Sequence, residues 1–303
     1  MNSSNPSGRR LSTAAFATLL LIAAMMGTNH VAARVAFDHG VDVVTAVTIR
    51  SAVTAVVVGV LLLVYRVPFG LQRRQKTGLA AIGMLIAVQS VCLYSAVARL
   101  PVALALLAFN MYPLLTALWA RVLYGHRPER RTLIAMPVIL FGLALALDVL
   151  GAASGLGAAA QWQRIGVGVA FALTAAATFG LALVLTQHEA GDVDGRIRTA
   201  STMSIVAVLA FVASRFQGGL HLPTATAGWF GLAALTFLYG TAITILFTVL
   251  PKLGVVGNSA IMNAEPIFAL TLAWALLDQS IAPVQVLGSL IVVAAVIWLG
   301  LRR

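Results

Sequence analysis

The chain is a succession of long apolar runs broken by short polar connections. Ten runs stand out, near residues 13–36, 43–65, 77–98, 101–123, 131–149, 163–187, 199–216, 227–249, 254–277 and 282–300. A helix needs about 20 apolar residues to cross roughly 30 Å of hydrocarbon, so the pattern predicts an all-α polytopic membrane protein with ten transmembrane helices. Sizeable connections occur only at Arg66–Lys76, Gly151–Gln161 and Glu189–Arg198. No stretch is left for a soluble domain, and any function must reside within the bundle.

Charge refines this picture through its distribution between alternate connections. One side collects Arg9, Arg10, Arg66, Arg73, Arg74, Lys76, Arg121, Arg127, Arg130, Arg131, Arg196, Arg198, Lys252, Arg302 and Arg303, whereas the other has Arg34, Arg99, Arg164 and Arg215. The bias predicts that both termini are cytoplasmic, with residues 1–12 as a short tail, and it agrees with an even number of spans. It also accounts for the net charge of +11 without nucleic acid. Arg9-Arg10 before an apolar run also fits a cleaved signal peptide, but the run exceeds the roughly 7 to 15 residues of such a segment. Composition agrees with the membrane reading: 60% of residues are hydrophobic, 10% are charged and the mean hydropathy is +0.97. Cys92 is the single cysteine, so no internal disulfide can form.

The two halves repeat each other at a fixed offset. Arg99-Leu100 recurs as Lys252-Leu253, Asn110-x-x-Pro113 as Asn263-x-x-Pro266, and 252−99, 263−110 and 266−113 all give 153. Five spans per copy is an odd number, so the second copy is expected to insert upside down. The expected units are a first repeat at 13–150 and a second, inverted repeat at 162–301, an architecture of membrane transporters.

The segment Leu100–Pro113, continuing to Gly125-His126-Arg127, is similar to the fourth-helix signature of the EamA family in the drug/metabolite transporter superfamily. Gly254 through Asn263-Ala-Glu265-Pro266-Ile-Phe-Ala, then Trp274-Ala-Leu-Leu-Asp278-Gln279 and Gly288, resembles its second-repeat signature. Gly27-Thr-Asn29 and Ile49-Arg50-Ser51 extend the resemblance over nearly the whole chain. The chain departs from the family where Gly-Glu-Arg is common, with Gly125-His126-Arg127 and Leu277-Asp278-Gln279. The resemblance implies a ten-helix metabolite exporter of the bacterial inner membrane, working without ATP or any cofactor. It implies a cavity formed by helices one to four and six to nine, and it points to the branch that exports aromatic amino acids. No P-loop Gly-x-x-x-x-Gly-Lys is present, which fits.

Intramembrane polar residues are costly and are functional candidates by default. Gln89, Asn110, Tyr112, Asn263 and Glu265 fall near the midpoints of their spans, while Asn29, His30, Arg50 and Tyr94 fall in the outer half; Tyr239 joins them as a candidate cavity residue. Pro113 and Pro266 remove backbone donors at matching positions, either as hinges for alternating access or as static kinks. Glu265 is the one acid near the midplane, and Tyr112 stands at its matching position. Two readings are open for it: a proton-coupling group, or an acid that stabilises the helix break. Arg50 attracts a substrate carboxylate on one reading, helped by His30 or Asn29. On the other it is held by backbone carbonyls or by Asp38 or Asp42. Few charges and many Met and Tyr side chains suit apolar or aromatic amino acids, with a proton-coupled exporter of lipophilic cations as the alternative. No His/Cys cluster offers metal spacing and no Ser/His/Asp arrangement suggests hydrolysis, so neither a metal site nor an enzyme is expected.

Overall fold

The computed structural model describes residues 13–68, 70–126, 130–248, 265–279 and 282–300. These residues form helices α1 (Thr13–Asp38), α2 (Val43–Val64), α3 (Arg73–Val97), α4 (Val102–Phe109), α5 (Tyr112–Tyr124) and α6 (Arg130–Ala146). They continue with α7 (Ala158–Glu189), α8 (Gly195–Phe216), α9 (Thr226–Thr248), α10 (Glu265–Leu277) and α11 (Pro283–Gly300), with no strand among the described residues. Seven segments are long and apolar enough to cross a membrane, α4 and α5 counting as one; Leu133–Ala146, Glu265–Leu277 and Pro283–Trp298 are shorter apolar helices.

The outward faces are as apolar as the interior. Leu63, Phe230, Phe237 and Trp274 are each about 70% exposed, a surface that only a hydrocarbon solvent tolerates. Buried positions are instead rich in alanine, serine, threonine and glycine, the composition of helices that approach closely in lipid.

Several helices differ from their expected limits, the seventh span for one starting at Gly195 rather than residue 199. The sixth span is longer than the apolar run at 163–187, because Ala158–Gln161 already continue the helix. The third begins at Arg73 rather than residue 77, its first turn closed by reciprocal bonds between Gln72 and Gln75. The fourth is interrupted. Residues Asn110 and Met111 form a tight turn, Met111 N–H donating to Ala108 at 3.2 Å, before α5 starts afresh. Pro113 therefore lies in the first turn of α5, where its missing N–H leaves no gap in the ladder, and the break precedes it.

Packing runs mainly between the two halves. α3 packs on α7 as α9 packs on α1; α3 packs on α8 as α9 packs on α2; and α5 packs on α7 as α10 packs on α1. α2 with α8 and α6 with α11 complete the set. Exchanging each helix for its counterpart maps these pairings onto themselves. Glycines mark the same symmetry at the atomic level. A Cβ on Gly27 would meet the Glu265 carbonyl oxygen at 2.8 Å and the Ala269 nitrogen at 3.0 Å. One on Gly180 would meet the Tyr112 carbonyl oxygen at 3.2 Å and the Thr116 nitrogen at 2.9 Å. The differences 180−27, 265−112 and 269−116 are all 153. Gly78 against Glu189 and Gly231 against Ala36 form a second such pair, since 231−78 and 189−36 are again 153. Small residues at fixed places thus let helices of opposite halves touch backbone to backbone.

Candidate functional site

A chain of polar side chains, half-buried at Glu265 and buried beyond it, runs through the bundle from α10 to α9. It begins with Glu265, whose Oε1 lies 3.1 Å from His30 Nε2 on α1. The imidazole stands edge-on to the Tyr94 ring of α3, with centroids 5.7 Å apart. The Tyr94 hydroxyl donates to Asn29 Oδ1 at 3.1 Å and accepts from Arg50 Nη1 of α2 at 3.2 Å. Arg50 Nη2 donates to Ser90 Oγ at 2.9 Å, and Ser90 in turn donates to Gln89 Oε1 at 3.3 Å. The guanidinium also lies over two aromatic rings, 4.8 Å from Tyr94 and 3.8 Å from Tyr239 of α9.

Local sequence explains this convergence. Asn29 and His30 follow Gly27 by less than one helical turn, and Gly27 lets α1 sit directly against the start of α10. His30 consequently reaches Glu265, although the two fall at different expected depths. Seven residues of α2 precede Arg50, and the Asp42 side chain caps that helix through the Thr45 N–H. Ser90 and Tyr94, four apart on α3, present their hydroxyls on the same face.

Neither Asp38 nor Asp42 holds Arg50. Asp38 pairs with Arg34 at 3.0 Å, and Asp42 bonds His221 at 2.6 Å besides capping α2. Hydroxyls and ring faces take that role instead, a correction to both structural expectations for Arg50. Among the described residues no carboxylate lies within 4.0 Å of it.

An aromatic group is built from α4, α5 and α7. Phe109, Tyr112 and Phe179 contact one another with centroids 5.1 to 5.5 Å apart, and Tyr112 is within electrostatic range of Glu265. Asn110, beside them at the break between α4 and α5, is 6% exposed and its Nδ2 has no partner. The structure therefore gathers Asn29, His30, Arg50, Gln89, Tyr94, Tyr239 and Glu265 into one network and sets Tyr112 close to its acid end. Asn263 lies outside the described residues; Pro266 is buried in the first turn of described α10. Ser90 and Phe179 complete the two clusters. The four-residue spacing of Ser90 and Tyr94 was the available sign for Ser90; nothing in the sequence pairs Phe179 with Tyr112 beyond their mid-span depth.

Helix ends carry their own ties between halves. Arg74 grips Glu189 at 2.6 Å, Tyr124 donates to the same carboxylate, and the Tyr124 ring stacks on His188. A cavity of about 240 Å³ nearby, lined by Leu71, Gln75, Asp192, Asp194 and Ile197, sits beyond the end of α2, about 20 Å along that helix from Arg50.

The family model of the EamA-like transporter family matches this chain twice, over residues 13–147 and 166–301. The chain belongs to the EamA-like transporter family. This EamA-like protein is accordingly a multi-pass membrane protein and a transporter of small molecules, with two copies of the family unit. Among curated proteins none matches it. A solved structure described only as "Crystal structure of protein" superimposes with a TM-score of 0.61 and 18% identity, covering 93% of this chain and 96% of that one, a similarity of fold.

Proposed function

We propose that the protein exports amino acids with apolar or aromatic side chains across the bacterial inner membrane, by alternating access and without ATP. Ten membrane crossings in two inverted five-helix repeats, 13–150 and 162–301 with both termini cytoplasmic, form the framework. The seven long and three shorter apolar helices support that count, and the charge bias supports that orientation. One observation carries the substrate reading: a network containing both an acid and a permanent cation has a cluster of three aromatic rings, Tyr112 among them, within electrostatic range of its acid. A zwitterion with an apolar side chain needs both kinds of surface. Asn29, His30, Arg50, Gln89, Tyr94, Asn110, Tyr112, Tyr239, Asn263 and Glu265 are the proposed substrate-facing set. Pro113 and Pro266 lie next to the joints about which the halves rock.

A proton-coupled exporter of lipophilic cations is the second reading, and Glu265 beside Tyr112 is the feature that favours it. Arg50 favours the first, since a lipophilic cation would leave that buried guanidinium without a counterion. Flux of radiolabelled phenylalanine, leucine, uridine and tetraphenylphosphonium into liposomes, with and without a proton gradient, tests both. Amino acid flux without a gradient is the expected outcome. Gradient-dependent flux of the phosphonium ion alone overturns it.

A further inference from the structure

We propose that Arg50 and Asn29 form a receptor for a single carboxylate, so that an acidic group on the transported molecule is obligatory. The proposal rests on the transport reading above and assigns recognition within that site.

A guanidinium stays charged under all ordinary conditions, and a buried ion without a counterion is strongly unfavourable. Arg50 is 3% exposed, and its contacts are two hydroxyls and two ring faces, all formally neutral. The chain has nine acidic residues, and those in the described residues near its span are engaged elsewhere: Asp38 by Arg34, Asp42 by His221 and Glu265 by His30. Residues 249–264 contain no acid at all. Donors without acceptors occur at the same place. Arg50 Nε and Asn29 Nδ2 are buried and unpartnered, with Asn29 0% exposed. The Tyr94 hydroxyl joins the two residues, so both donors belong to one network. A cation with spare donors, lacking a carboxylate, is complementary to a carboxylate.

Symmetry makes this receptor single. At the 153-residue offset Arg50 corresponds to Met203, Gln89 to Ala242 and Ser90 to Ile243, so the matching place in the other half is apolar. Tyr239 spans the two environments: its ring faces the guanidinium and its hydroxyl donates to Met203 Sδ at 3.6 Å. The transported molecule accordingly presents its acid to one half only.

The test measures flux into liposomes of four probes that share a phenyl group: L-phenylalanine, L-phenylalaninamide, 2-phenylethylamine and 3-phenylpropionate. The two carboxylates are expected to move at least tenfold faster than the amide and amine. A variant supplies an internal substitute for the ligand: Asn29→Asp places a carboxylate one hydroxyl away from Arg50. It is expected to raise the Tm while slowing both carboxylate probes at least tenfold, a combination that simple misfolding does not give. Equal flux of phenylalanine and its amide overturns the receptor and leaves the transporter reading standing. Flux of 3-phenylpropionate without phenylalanine overturns the amino acid reading and leaves the receptor standing. Immobility of both carboxylate probes, or wild-type carboxylate flux in Asn29→Asp, overturns the proposal.

Discussion

Single positions carry disproportionate weight where helices touch. Gly27 brings α1 against α10 and thereby delivers His30 to Glu265; an added Cβ would meet backbone atoms, which do not swing aside as a flexible side chain can. Gly27→Ala is expected to cost about 1–3 kcal/mol through overpacking, read as a lowered Tm of the purified protein. A different residue-scale effect governs Asp194, which caps α8. Its bonds from the Arg196 side chain hold its carboxyl below the usual aspartate range; partial burial opposes this, and the backbone N–H groups of Arg196 and Ile197 reinforce it. A depressed folded-state pKa means that this stabilisation is present above the ordinary value of about 3.9 and is lost as pH falls through the folded-state value. Asp194→Asn keeps a capping side chain but no charge. Its Tm should lie below that of the wild type at pH 7, with the gap narrowing only as pH falls below about 3.9 and through the depressed folded-state value, where the wild-type carboxyl protonates.

Elements show where local pattern and tertiary context part company. The proline at 113 marks trouble in the fourth span, but the ladder fails three residues earlier, at Asn110 and Met111. The polar Asn110 sits in the turn, and Pro113 starts the next helix where no N–H is required. Pro113→Ala should therefore alter stability by less than about 1 kcal/mol in thermal unfolding. The added N–H can donate to the Phe109 carbonyl, and bridging the joint in this way should slow substrate flux several-fold. Unchanged flux would show that the joint does not bend at this point.

On the scale of the whole molecule, the interleaved halves make one body from two repeats. Nearly every principal packing partner of a first-half helix lies in the second half. The basic connections should all face one compartment. With Cys92 replaced by Ser, a cysteine at Gln217 is expected to react with a membrane-impermeant maleimide on intact cells. One at Gln72 should react only after lysis. The reverse pattern would invert the proposed orientation.

Sequence alone determined the membrane class, because runs of about 20 apolar residues can cross the hydrocarbon as helices, which satisfy their own backbone polar groups. It also determined the duplication, since both Asn-x-x-Pro motifs survive at one offset. It identified Arg50, Tyr94, His30 and Glu265 as candidates through the cost of placing polar groups in a bilayer. Partnership was decided by tertiary structure. His30 and Glu265 are 235 positions apart, and their meeting depends on the closeness that Gly27 allows rather than on any local periodicity. The neutral surroundings of Arg50 likewise come from hydroxyls and rings on α3 and α9, while the nearest acids in sequence turn to Arg34 and His221. Which groups surround a buried charge depends on helix packing, because each helix fixes only its own face and the partner's face arrives from elsewhere in the chain.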